Sequence, residues 1–268
     1  MSYRLKYKKL YKIISSTSGV AVAFSGGVDS LFVLKTAKEA LGKNVLAITG
    51  CLDVIPKENL KRAKEIAEFL KVKHLTLETD ELKNENFLKN TEKRCYFCKQ
   101  NLYKKLKEAA KKEGFYCLLD GTNADDENEF RPGRLVAKEL GIISPLVEVG
   151  FGKKEIRKLL KESDWPDWDK PSETCLATRV FQNEIITAGK LQKIDEAEDF
   201  LKKLGLKTVR VRIHGEHTAR IETNVEDIPL LLEPKIRNLV WEKLHKIGFI
   251  YTSLDLKGYN QKSTNKSP

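Results

Sequence analysis

A chain of 268 residues is long enough for one large domain or two modest ones, each with a real core. No apolar run approaches bilayer-spanning length and the opening MSYRLKYKKL lacks the apolar centre of a signal peptide, so a cytoplasmic protein without a membrane partner is expected. The net charge of +11 suits anionic partners, but lysines spread along helical stretches with a single Met suit a thermophile's solvated surface equally well; an odd five cysteines point to thiols or metal ligands rather than a disulfide scaffold.

The first informative stretch is Ser25-Gly26-Gly27-Val28-Asp29-Ser30, between the apolar run Val20 to Phe24 and a helical pattern from Leu31 to Leu41. A strand that turns through glycine into a helix offers unpaired N–H groups and the positive end of a helix dipole to an anion. Gly26 and Gly27 let the backbone close on a pyrophosphate, Ser25 and Ser30 add hydroxyl donors, and Asp29 suits Mg2+. A bare glycine pair would be no more than a capped turn, whereas the whole string after a buried strand points to a nucleotide site. It is neither a Walker loop, since no Gly-Lys-Ser/Thr follows, nor a G-x-G-x-x-G motif. The string resembles the PP-loop of ATP pyrophosphatases. That resemblance implies ATP cleavage between the α and β phosphates, with adenylation of a carboxyl or carbonyl oxygen.

Next in the chain, Val45 to Thr49 reads as a strand and Pro56 opens a helix with Leu60, Ala63, Ile66, Ala67 and Leu70 at helical spacing. His74 to Thr79 alternates as a strand, Leu102 to Ala110 is helical and stopped by Gly114, and Tyr116 to Leu119 is a buried strand. Repeated βα units predict an α/β fold with a doubly wound parallel sheet and ligands at the carboxyl ends of its strands. Asp120-Gly121-Thr122-Asn123-Ala124-Asp125-Asp126 follows the last strand onto that rim, where Gly121, Thr122 and Asp125 could close over a nucleotide or ligate magnesium; alone, such a cluster is as often an Asx-rich turn. Arg131, in Arg131-Pro132-Gly133-Arg134, could neutralise phosphate charge there, and Ser144-Pro145-Leu146 and Lys153-Lys154-Glu155-Ile156-Arg157 return to the same rim.

A linker rich in Trp, Asp and Pro (164–171) separates an expected domain at 1–170 from a smaller α+β domain at 171–268. Thr187 to Leu204 reads as an amphipathic helix, Thr208 to Ile213 and Thr218 to Thr223 as strands, Glu233 to Ile247 as a helix and Phe249 to Leu254 as a strand. In Val209-Arg210-Val211-Arg212-Ile213 the period of two puts Arg210 and Arg212 on one face. They are either solvated arginines on an amphipathic strand or, with His214 and Arg220 close in sequence, an anion pocket.

Cys95-Tyr96-Phe97-Cys98 supplies two soft ligands at a spacing that suits zinc or an iron–sulfur cluster, on the approach to a helix. Cys175, among the turn and polar residues of Pro171 to Arg179, is the only further cysteine in such a context; Cys51 and Cys117 lie in apolar strands, where cysteine is usually core filler. None of the four histidines sits at convincing ligand spacing for a zinc site. Three cysteines around a 4Fe-4S cluster would leave one iron open to bind sulfide, the nucleophile an adenylated carboxyl group would need.

Taken in order, SGGVDS, RCYFCK, DGTNADD, RPGR, SPL, KKEIRKLL, WDKP, TCLATR and RVRIHGEHTARIE resemble the LarE family, the ATP-dependent sulfur transferases of nickel-pincer nucleotide biosynthesis, over nearly the whole chain. The resemblance implies adenylation of each carboxylate of a pyridinium-3,5-biscarboxylic acid mononucleotide and its conversion to a thiocarboxylate, for a cofactor of lactate racemase or related enzymes. By position, Cys175 matches the sulfur-bearing cysteine, which some members sacrifice. Cys95 and Cys98 with Cys175 resemble the members that hold a 4Fe-4S cluster and use external sulfide. Arg210 and Arg212 match the pair that holds the substrate's phosphate, and Glu198 an acidic residue of the active-site region. The expected cofactors are therefore ATP, Mg2+ and a 4Fe-4S cluster, and the partners a mononucleotide and a sulfide donor, in a homo-oligomer without nucleic acid. Asn260 departs from the family pattern, which has an arginine after the Gly258-Tyr259 pair. The competing readings are a PP-loop tRNA thiolase, against which stand the paired arginines and the absence of an added RNA-binding module, and a non-catalytic nucleotide-binding protein with structural zinc.

Overall fold

A computed structural model of the chain describes residues 1–51, 54–128, 133–166, 168–169 and 174–259. Two compact units emerge: Met1–Glu81 with Cys95–Glu173, and Leu82–Arg94 with Thr174–Pro268. The first is built from α1 (Tyr3–Ser15), β1 (Val20–Ala23), α2 (Val28–Leu41), β2 (Val45–Cys51), α3 (Lys57–Phe69) and β3 (Lys73–Glu78). After α4 (Glu85–Leu88), which belongs to the second unit, it continues with α5 (Arg94–Lys112), β4 (Leu118–Leu119), α6 (Gly133–Glu139), α7 (Pro145–Val149) and α8 (Lys153–Glu162).

The four strands run parallel in the order β3-β2-β1-β4. Strand β1 is apolar at every position because both its faces are buried. Val20 and Val22 enter a core with Leu31 and Leu34 of α2, while Ala21 joins Leu46, Ile48, Tyr103 and Leu106 in another. The parallel α/β sheet expected from the βα repeats is thus present, with helical residues packed on both faces. Two elements differ from the sequence expectation. Only Leu118–Leu119 join the ladder, opposite Ala21 and Val22, and Tyr116 is exposed. Helix α5 begins at Arg94 rather than at Leu102, so Cys95 and Cys98 lie inside the helix; no Gly or Pro interrupts Arg94–Lys112, but the adjacent aromatics Tyr96 and Phe97 followed by polar Lys99 to Asn101 show no helical period, which hid its start.

The second unit holds α9 (Ala188–Lys203), β5 (Val209–His214), β6 (Thr218–Thr223), α10 (Ile228–Leu232), α11 (Pro234–Ile247) and β7 (Tyr251–Leu254). Its sheet has the order β5-β6-β7, antiparallel between β5 and β6 and parallel between β6 and β7. Leu82–Arg94 is tied into this unit by backbone bonds from Asn183 N–H to the Asn90 carbonyl (3.1 Å) and from Ile186 N–H to the Leu88 carbonyl (3.0 Å). Asn90, buried and left-handed (φ 51°), donates through Nδ2 to the carbonyls of Val180 (3.3 Å) and Phe181 (2.6 Å). Asn90→Ala removes the side-chain donor to both carbonyls, leaving that of Phe181 with its bond from Glu184 N–H (3.0 Å), and is expected to cost about 1–3 kcal/mol, read as a lower urea midpoint with unchanged slope.

Candidate functional site

The loop between β1 and α2 is closed by its own hydroxyls. Ser30 Oγ donates to the Gly27 carbonyl (3.1 Å), so the contact between the Ser25 and Ser30 hydroxyls (3.1 Å) is donated by Ser25, whose oxygen accepts from Gly27 N–H (3.3 Å). Gly26 is required twice over: its φ is +75°, and a Cβ there would stand 3.2 Å from the Asn59 carbonyl oxygen. The start of α2 lies under the Asp120–Asp126 turn, since a Cβ at Gly121 would come within 2.6 Å of Ser30 N.

That turn brings Asn123 to Asp29. Asn123 Nδ2 donates to Asp29 Oδ2 (3.1 Å), Lys153 Nζ stands 3.6 Å from the same oxygen, and Oδ1 is buried with no hydrogen-bond partner among the described residues. Burial pushes the Asp29 carboxyl above its ordinary value, against the pull of Lys153 and Asn123. A buried carboxylate oxygen without a donor, at the phosphate-binding end of a helix, fits a ligand for Mg2+. Asp120 is buried and accepts from Tyr103 Oη (2.8 Å), Thr122 Oγ1 (2.7 Å) and Thr122 N–H (3.1 Å). Asp125 Oδ2 accepts from Lys153 N–H (2.7 Å) at the first turn of α8. Thr122 and Asp125 therefore hold the turn together, and Asn123, which the motif contains but the sequence reading left unassigned, reaches the acid. Arg131 lies outside the described residues.

The loop after β1, Asp29, Asp120, Gly121 and Thr122 line a cavity of about 290 Å3. Ser25, Gly27, Asp29 and Asp126 make a polar part, while Phe24, Ile48, Ile55 and Leu106 make an apolar one, an arrangement suited to a polyphosphate and a base respectively. Thr49 lines the same cavity and donates to the Phe24 carbonyl (2.5 Å), so His74 Nε2, 2.8 Å from the Thr49 oxygen, is the protonated ring nitrogen. Tyr103 and Lys99 bring α5 to this cavity.

Cys95, exposed, and Cys98, half-buried, share one face of α5 in its first two turns. No disulfide joins any of the five cysteines. The pair fits two thiolate ligands of a cluster; among the described residues no three His, Cys, Asp or Glu side chains are gathered as a metal group. Cys51 and Cys117 are half-buried, and burial pushes the Cys117 thiol up, in keeping with cysteines that fill space.

In the second unit Cys175 opens the turn that carries Leu176–Arg179, and its carbonyl accepts from Thr178 N–H (2.9 Å), Thr178 Oγ1 (2.7 Å) and Arg179 Nη1 (3.0 Å). Arg179 is only 1% exposed. It pairs bidentately with Glu198, Nε to Oε1 at 2.8 Å and Nη2 to Oε2 at 3.0 Å, and Glu198 Oε1 also accepts from Val211 N–H (3.0 Å). Glu198 thus reaches Cys175 through Arg179, a positioning arrangement. The alternation of β5 does place Arg210 and Arg212 on one face, yet neither is solvated: both are buried, and Arg212 is gripped by the buried Glu222 at 3.0 Å on both Nε and Nη2. Arg210 donates to the Val209 carbonyl (2.8 Å) and lies 5.3 Å over the Tyr259 ring. Arg179 and Glu222 stand inside motifs visible in the sequence, TCLATR and ARIE, but local pattern carries no sign of their partners.

A strand–loop–helix with self-closed serines, a glycine held at positive φ and a buried acid under a second turn defines a PP-loop nucleotide site. A model of the PP-loop domain matches residues 2–164. The pyridinium-3,5-bisthiocarboxylic acid mononucleotide synthase of Lactiplantibacillus plantarum is 33% identical over 97% of this chain and 94% of its own length. Uncharacterized proteins of Synechocystis (37%, over 97% of each chain) and of Methanocaldococcus jannaschii (30%, over 95% and 96%) are similar along the same extent. The chain belongs to the LarE family of PP-loop enzymes.

Two outcomes test the geometry. The raised pKa of Asp29 means that its neutral form favours the fold; that contribution is complete below the unfolded value of 3.8 and is lost as pH rises through the folded value. Asp29→Asn should therefore melt higher than the parent at pH 7, with the gain shrinking toward pH 3.8, while losing the rise in melting temperature that Mg·ATP gives the parent. Arg179→Met leaves the buried Glu198 without a countercharge, at a cost of roughly 3–5 kcal/mol in urea unfolding, and Arg179→Met with Glu198→Met should recover part of it, the Val211 N–H then losing its acceptor.

Proposed function

We propose that this enzyme is an ATP-dependent sulfur transferase that adenylates the carboxylates of pyridinium-3,5-biscarboxylic acid mononucleotide and converts them to thiocarboxylates, a step in nickel-pincer nucleotide biosynthesis. The observation that carries the reading is Asp29, a buried acid with an unpartnered oxygen in a phosphate-binding loop, in a chain similar end to end to the synthase from Lactiplantibacillus plantarum. Asp29 would hold Mg2+, and the N–H groups at the start of α2, with Ser25, Gly26, Gly27 and Ser30, would hold the ATP phosphates. Gly121 keeps the Asp120–Asp126 turn close against that loop, and Arg131 is assigned to phosphate neutralisation. A carboxylate oxygen of the substrate attacks the α phosphorus, pyrophosphate leaves, and a sulfur nucleophile then displaces AMP from the acyl carbon, forming C–S as C–O breaks.

The thiols of Cys95, Cys98 and Cys175 are the ligand set we assign to a 4Fe-4S cluster, which would supply an iron able to carry a sulfide from an external donor. Arg210 and Arg212 are assigned to the substrate's phosphate, Arg212 oriented by Glu222, and Glu198 to fixing the Cys175 turn through Arg179. Among the described residues no helix is long and apolar enough to cross a membrane, in accord with work in the cytoplasm, and we expect the enzyme to act there as a homo-oligomer.

Separate assays of the two half-reactions test the scheme. Asp29→Asn should abolish pyrophosphate release; Cys175→Ala should still release pyrophosphate but yield no thiocarboxylate. Anaerobic reconstitution should give about four iron and four sulfide per chain, lost in Cys95→Ala. Equal loss of both half-reactions in both variants would overturn the division of roles, and a colourless zinc protein without pyrophosphate release would overturn the activity itself.

A further inference from the structure

The polar face of the β5-β6-β7 sheet carries a third guanidinium. The register sets Arg212 opposite Arg220 and Arg210 opposite Glu222, with His214 continuing the face one step along β5 and Ser253 of β7 beside Arg220. Glu222, 1% exposed, is the hub: it accepts from Arg212 through both oxygens and from Arg220 Nη2 at 2.9 Å. Arg212 also gives Nη1 to the Thr178 carbonyl (2.8 Å), so all three of its nitrogens are engaged.

Arg220 is different. Its only hydrogen bond among the described residues is the one to Glu222, and its Nε is buried with no acceptor in hydrogen-bonding geometry; the Asp255 carboxylate stands at 3.5 Å as a looser ion pair. Its side chain keeps 29% of its surface exposed, against 6% for that of Arg212, so the guanidinium is reachable. Diagonally across the ladder, His214 Nε2 is also buried without a partner, its ring against Phe181 (centroids 5.2 Å apart). Burial and the Arg220 charge both favour the neutral imidazole. Arg210, Arg212 and Arg220 share this face with the carboxylates of Glu222 and Asp255, and Glu184 acts on His214. An accessible guanidinium with donors to spare is what an anionic oxygen satisfies, through a charge-assisted bond stronger than a neutral one, and neutral His214 adds a donor beside it in its Nε2–H tautomer.

We infer that Arg220, assisted by His214, is a further ligand of the substrate's phosphate beside Arg210 and Arg212, aimed by Glu222. The inference rests on the reading of this face as the substrate-phosphate side, and adds to it the residue that keeps donors in reserve. Arg220 is a binding and specificity residue; the chemistry at the carboxylates does not pass through it.

Calorimetric titration of the full chain with nicotinic acid mononucleotide and with its riboside, which keeps the carboxylate and lacks the phosphate, tests this. The parent protein should prefer the mononucleotide. Arg220→Gln should weaken mononucleotide binding about 10- to 100-fold and leave the riboside unchanged, and Arg220→Lys should recover part of the loss, since a point charge lacks the planar fork. His214→Gln, which leaves the Glu222 pairs intact, should shift the same preference in the same direction and by less, so the inference stays testable should Arg220→Gln unfold in urea controls. Unchanged mononucleotide binding in Arg220→Gln, or equal loss for both compounds, overturns the inference while leaving the sulfur-transfer reading in place. A parent protein that binds neither compound overturns the substrate reading, and the inference with it.

Discussion

A Cβ at residue 121 would stand 2.6 Å from the backbone nitrogen of Ser30, closer than any side chain tolerates, and on that approach of two turns the nucleotide site depends. Because glycine permits it, the Asp120–Asp126 turn lies directly on the start of α2. Asn123 can then reach Asp29, while Asp125 reaches the first turn of α8 and Ala124 N–H bonds to the Phe151 carbonyl (2.8 Å). The PP-loop, the turn and α8 are in this way one mechanical piece, and Lys153 arrives near Asp29 as part of it. The acid is held from two sides through Oδ2 and left unmatched at Oδ1, and burial raises the cost of its charge.

The second unit solves a different problem by related means. Two buried carboxylates, Glu198 and Glu222, each grip one arginine in a fork, and both arginines point a remaining donor at the same short turn: Arg179 at the carbonyls of Thr174 and Cys175, Arg212 at the carbonyl of Thr178. Buried ion pairs contribute little net stability, since desolvation offsets most of their attraction, but they fix direction because a misaligned fork leaves a charge unpaired. The backbone that carries the Cys175 thiol is therefore set by charges on α9 and β6, remote from it in sequence.

Much of this was legible in the chain and some was not, for physical reasons. Strand β1 announced its two-sided burial through the unbroken Val20-Ala21-Val22-Ala23 run, and SGGVDS announced the phosphate loop because only glycine and small hydroxyl residues fit such a closure. The start of α5 was hidden because Cys95 to Gln100 has no apolar period, although the segment is helical. Alternation placed Arg210 and Arg212 on one face but could not say whether that face met water; the answer lay in Glu222, whose pairing depends on strand register. Glu198 matched an acid of the active-site region by position, but its pairing with Arg179 is visible only in the fold, and Asn123 looked like a turn residue until tertiary packing set it beside Asp29.

The chain enters the second unit at Leu82, leaves it after Arg94 and comes back at Thr174, so that unit is sewn from two pieces far apart in the gene. It cannot close on the ribosome until the later piece has emerged to meet a segment made long before, and the earlier piece must wait, its Asn90 carbonyl and amide unmatched. Nor can evolution or an engineer exchange the carboxyl-terminal portion by one crossover near Thr174, since the imported part would meet a foreign Leu82–Arg94. The second unit is thus inherited as a split module, and recombination that respects it needs two breakpoints at once.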